Sequence, residues 1–212
     1  MVIGLLAITA IPTVIGVGQA ISAQKQQNAS LTKEQEKFHL TAMMKRKGKL
    51  EETGTGVLVN NKLYFDLPDY PVEGHKFCGY FFKYPSEEGH RGMVSTIAVD
   101  PPMLNWIYVN AETHAVEYGA RKDTVGHVIG PWGWTEDERF LTLEGDDDAF
   151  VAVKEEEDKN EDEDGPGDDG RWAVYWDPEG EIKEKHGSHK KCRSVALRRR
   201  PQMGVESRYV KD

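Results

Sequence analysis

Hydrophobic and polar positions divide the chain into three regimes. Residues 2–22 carry no charge, and as a helix at 1.5 Å per residue they would reach roughly 30 Å, the depth of one hydrocarbon core. Pro12 would kink that helix, which membrane helices tolerate. A segment 1–24 is therefore expected to act as a membrane anchor. A cleaved signal peptide and a buried N-terminal helix fit the same residues, although no basic stretch precedes the apolar run. Lys25, Lys33, Lys37, Lys45, Arg46 and Lys47 all follow it, so the positive-inside rule leaves the rest of the chain on the cytosolic side. Were residues 1–23 a signal peptide, the product would instead be luminal or secreted.

The second regime, 25–52, reads as a basic helical spacer. Thr32 with Gln35 matches a capping box, and lysines cluster before Gly48, where a glycine stop is expected. Phe38, Ala42, Met43 and Met44 give it a modest apolar side.

From Thr53 the period becomes two, and the pattern predicts an antiparallel β-sandwich or barrel over 53–200. Val57 to Leu67 reads as a hairpin around Asn60-Asn61, residues that tolerate positive φ. Strands follow at His75–Tyr84 and Met93–Val99. Trp106–Val109 and His114–Tyr118 should pair across Asn110–Thr113, with Trp106 and Tyr108 on one face and Ile107 and Val109 on the other. Gly130 to Trp134 reads as an aromatic turn. Arg139–Leu143 and Ala149–Val153 form an expected hairpin, Arg171–Trp176 another strand, and Cys192–Arg198 the last one. Residues 155–170 are almost all carboxylate, glycine and proline, a composition expected of a disordered insertion, and 201–212 of a flexible tail.

Charge narrows the function. The net charge of −9 and the absence of any nucleic-acid signature argue against a nucleic-acid partner. Two cysteines, Cys78 and Cys192, make no disulfide framework, and a single bridge stays open. His75-Lys-Phe-Cys78 is the one tight His/Cys pair, and no second pair mirrors it, so neither a metal nor a cofactor is expected. Asp158, Asn160 and Asp162 begin like a calcium loop, but Glu163 stands where glycine is required. His75, Cys78 and His114 are weak candidates for a Cys–His nucleophile pair, set against a strand context in which a thiol is inert. No serine-nucleophile, phosphate-loop or dinucleotide motif is present. The aromatic residues read first as sheet core. If the strands enclose an apolar small molecule, Trp106, Tyr108, Tyr118, Arg121, Trp132 and Trp134 are the ligand-binding candidates.

The strings His75…Cys78-Gly-Tyr-Phe, Val94-Ser-Thr-Ile, Pro101-Pro-Met-Leu-Asn-Trp-Ile-Tyr-Val109, Tyr118-Gly-Ala-Arg121 and Gly130-Pro-Trp132 resemble a family of small filamentous-fungal proteins. The resemblance covers roughly residues 1–155 and the strand after the insertion. It implies a hydrophobic N-terminus joined to a β-rich domain, and it carries over no catalytic residue. The expected role is a membrane-anchored, non-catalytic binding or scaffold module for a protein partner. A small-molecule barrel, acting as carrier, isomerase or cyclase, is the alternative.

Overall fold

The computed structural model describes residues 35–46, 49–85, 89–99, 102–155, 170–186 and 191–202. The chain divides into two units at Lys37, and the fold below belongs to the second. The anchor 1–24, most of the acidic insertion and nearly all of the C-terminal tail lie outside the described residues. Among the described residues, no helix is long and apolar enough to cross a membrane.

The domain is mainly β and antiparallel throughout. Its strands are β1 (Phe38–Arg46), β2 (Lys49–Val59), β3 (Lys62–Asp66), β4 (His75–Lys76), β5 (Gly79–Lys83), β6 (Arg91–Val99), β7 (Pro102–Val109), β8 (Val116–Gly119), β9 (Trp132–Trp134), β10 (Leu141–Leu143), β11 (Phe150–Glu155), β12 (Arg171–Trp176) and β13 (Cys192–Pro201). One short helix, α1 (Glu181–His186), follows β12. Six of the strands close on themselves in the order β1, β2, β3, β12, β11, β13 and back to β1. The open choice between sandwich and barrel is thereby settled as a barrel. Of the other strands, β5 to β8 form a meander that joins β1 at Phe38↔Gly79 and β3 at Lys62↔Glu117, β4 pairs with β2, and β9 pairs with β10.

Alternation explains the closure. Leu40, Ala42 and Met44 of β1 point inward, as do Leu63 and Phe65 of β3, Phe150 and Ala152 of β11, Trp172 and Val174 of β12, and Val195 and Leu197 of β13. Their neighbours face outward and build two smaller apolar patches, Val57, Tyr64, Val72 and Ala173 in one and Val151, Val153 and Cys192 in the other. A strand apolar on both faces needs cover on both. Trp132, Trp172, Phe65, Phe150 and Leu63 are each at most 1 % exposed, so side chains fill the interior.

Several expectations are corrected. Of the expected spacer helix 25–52, residues 25–34 lie outside the described residues, whereas 38–46 and 49–52 are strand, so the β domain begins at β1 rather than at residue 53. Phe38, Leu40, Ala42 and Met44 recur at every second position, and burying that stripe in the barrel outweighs the helix-like signals at its ends. Residues 139–143 do not pair with 149–153. Instead β10 pairs with β9, which was read as a turn, and β11 pairs with β12. The Trp-Gly-Trp run, three residues long, carries too little alternation to announce a strand, yet pairing with Leu141 and Leu143 buries Trp132 completely. Glu155 is also no part of a disordered loop. It ends β11 and stands opposite Arg171, so residues 156–169 connect the two strands of a hairpin.

A candidate binding groove at a strand fork

The residues singled out from the sequence do not converge. Trp132 is core, stacked 6.3 Å from Phe150. Trp134 packs edge-on against Phe38 at 4.6 Å, with the Arg199 guanidinium 5.2 Å from its ring. Tyr118 is half-buried against the main core. Tyr108 lies on the outer face of β7, stacked on His127 at 5.1 Å. Burial and the nearby Glu117 carboxylate push its hydroxyl up to about 12. Trp106 shares that outer face with Phe82 and Tyr84, at 4.6 and 4.9 Å, in edge-to-face contact. Gly92 makes this contact fit, because a Cβ there would come within 2.7 Å of the Phe82 ring. Arg121 is exposed and donates to the Pro85 carbonyl. Six positions thus fall into core, outer face and loop rather than around one ligand.

The candidate nucleophile and bases make no hydrogen bond to one another among the described residues, although Cys78 and His75 both reach Thr96. The Cys78 thiol donates to Gln202 Oε1 at 3.3 Å, while His75 Nε2 meets Thr96 Oγ1 at 3.1 Å. Burial pushes the Cys78 thiol up, and Lys37 and Thr96 oppose that only in part. A raised thiol supplies less thiolate at neutral pH. His114 sits in the turn between β7 and β8 at φ 63°, its carbonyl accepting the Trp176 amide. Cys78 and Cys192 are both free, and no group of metal-ligating side chains occurs among the described residues.

Two features were not legible in the sequence. The first is a polar knot on the outer face. Lys62 Nζ donates to Glu155 Oε1 at 2.8 Å and the Tyr64 hydroxyl to Oε2 at 2.9 Å, while the Tyr175 hydroxyl also donates to Oε1. Burial alone would raise the Glu155 carboxyl, but these donors and the Lys62 charge outweigh it and hold the carboxyl below its ordinary range. The Tyr175 hydroxyl is raised, by burial first and then by Glu155. The knot ties β3 to the β11–β12 pair at Glu155, the last residue of β11.

The second feature is a groove of about 690 Å³. Its origin is a fork in the sheet. The ladder between β1 and β13 ends at Met44↔Val195, after which β1 continues with β2 alone while the start of β13 pairs with β11. Met43, Met44 and Val195, all buried, line its apolar side, the last two being the ends of the inward-facing rows of β1 and β13, and Leu50, 44 % exposed, adds to it from β2. Among the described residues, Lys45, Lys183 of α1 and Arg193 bring positive charge against one carboxylate, Asp148, with the Arg193 guanidinium lying 4.7 Å from the Trp172 ring. Lys183 is placed by its helix start, where the buried Asp177 carboxylate accepts the amides of Ile182 and Lys183 at 3.0 Å each. The groove offers a polarizable apolar strip under a cationic rim, a surface for binding rather than for bond-making. The sequence hid it, because its residues come from five separate segments.

No curated protein and no solved structure matches the chain. Residues 16–203 match the fungal beta-trefoil domain, a span that takes in every strand of the barrel. With most of its length covered by that match, the chain belongs to the fungal beta-trefoil domain family.

Proposed function

We propose that the chain is a non-catalytic binding module, held at a membrane by residues 2–22 with its β domain on the cytosolic side. The observation that carries the binding role is the contrast between a barrel interior filled by Trp132, Trp172, Phe65 and Phe150 and an open, apolar and cationic groove at the fork of its ladders. Ligand pockets are concave, mostly apolar and furnished with a few placed polar groups, which describes the groove and not the interior. The Cys78 thiol bonded to Gln202 rather than to a histidine supports a role without bond chemistry, and the uncharged run 2–22 supports the membrane location.

The test is a native mass spectrum of the full chain, extracted from a fungal host in mild detergent. The expected spectrum shows the bare polypeptide mass alone or with a partner protein. Extra mass of metabolite size that leaves only on unfolding would overturn the reading in favour of a barrel that encloses a small molecule. Carbonate extraction checks the anchor: the chain should stay with the membrane pellet, and its release would remove the membrane from the proposal.

A further inference from the structure

Resting on the binding-module reading, we propose that the groove at the fork of β1 and β13 takes an extended acidic peptide segment of a partner protein. Three observations point to that chemistry. First, among the described lining residues the exposed Lys45 and Lys183, with Arg193 lying over the Trp172 ring, outnumber one carboxylate, Asp148, in a chain whose net charge is −9. This local reversal of sign favours an anionic partner and steers its approach. Second, the floor of Met43, Met44 and Leu50 suits apolar side chains. Methionine's unbranched thioether adapts to several shapes, as surfaces that accept peptides do. Third, the β1–β13 ladder stops at Met44↔Val195, so Lys45 and Arg46 pair with β2 on one side and with no described strand on the other. An open strand edge bonds a peptide backbone by strand addition, which a lipid headgroup has no means of exploiting. Side chains of an added strand alternate, so one set would meet the apolar floor while carboxylates in the other reach the cationic rim.

The experiment measures fluorescence anisotropy of a fluorescein-labelled peptide, Glu-Leu-Asp-Val-Glu-Leu, against the full chain in detergent. Its Gln/Asn counterpart is the neutral control. In parallel, flotation with phosphatidylcholine vesicles, with and without phosphatidylserine, reports lipid binding. The acidic peptide should bind and the neutral one should not. Lys45→Glu combined with Lys183→Glu should weaken binding at least about tenfold, and Leu50→Asp should weaken it too. All three positions are exposed, so thermal melts of the variants should match the parent. Equal peptide affinity in the variants would place the peptide elsewhere and overturn the groove assignment while leaving the binding-module reading intact. Absence of peptide binding overturns the proposal. If it comes with phosphatidylserine-dependent flotation that the charge reversals abolish, the groove is a membrane contact. Failure of the module reading itself is seen separately, as a retained metabolite in the native mass spectrum.

Discussion

At the scale of single residues, Glu155 joins strands β3, β11 and β12 of the barrel. Glu155 is charged, half-buried and bonded by Lys62, Tyr64 and Tyr175, and its carboxyl lies below the ordinary range. A carboxyl lower in the folded than in the unfolded state adds stability that is complete above the unfolded value, about 4.3 for glutamate, and is lost as pH falls through the folded one. Glu155→Gln should therefore cost about 1–2 kcal/mol at neutral pH, because Lys62 loses its charged acceptor. In acid, as pH falls below the unfolded value and through the lowered folded one, the gap between variant and parent should shrink, since the parent carboxyl then protonates too. Urea denaturation at neutral and at acid pH measures this; a gap that does not change with pH would show that the knot is not ionic. Cys78 gives the opposite kind of prediction. Its thiol is raised by burial and donates to Gln202, so alkylation at neutral pH should run slower than for a free cysteine peptide. Cys78→Ala should leave peptide binding unchanged; loss of binding would show that the thiol takes part.

The elements show which parts of the fold are written locally. Asn60 and Asn61 adopt φ of 46° and 64°, the two positive values that a two-residue hairpin turn of this twist demands, and they join Val59 to Lys62 as expected. Asn60→Val places a β-branched residue where φ is positive and should lower stability by about 1–2 kcal/mol, read from a thermal melt, whereas Asn61→Gly should be nearly neutral. Equal losses for both would mean that side-chain contacts, not the backbone, set the turn. The β7–β8 pairing and the β13 strand were equally legible, because Ile107 and Val109 alternate with Trp106 and Tyr108, and Val195 with Leu197. Other elements were not. Strand β1 carries Thr41 and Met43 buried between its inward residues, so the alternation is blurred and the flanking lysines look like a helix end. Strands β9 and β10 are three residues each, and their pairing is fixed by the space Trp132 fills rather than by any local propensity. The helix α1 is six residues long, too short for a periodic signal, and forms because Asp177 caps it.

At the scale of the whole molecule, the closed barrel decides where a ligand has room. Its interior holds tryptophan, phenylalanine and leucine side chains that are almost wholly buried, and truncating Trp172 to alanine should cost about 3–5 kcal/mol, a loss of fold rather than of a ligand contact. Binding is left to the fork of the ring's regular ladders, where the groove opens beyond the Met44↔Val195 pair. No single stretch of sequence could have announced that place, since β1, β2, α1 and β13 meet there only after the ring closes. The most direct test is hydrogen–deuterium exchange of the full chain with and without the acidic peptide, followed residue by residue. Protection is predicted in Met43–Lys45, at Leu50 and in Arg193–Ala196, with the aromatic face of Phe82 and Trp106 unchanged. Protection centred on that aromatic face, or spread through the barrel with the groove untouched, would contradict the account.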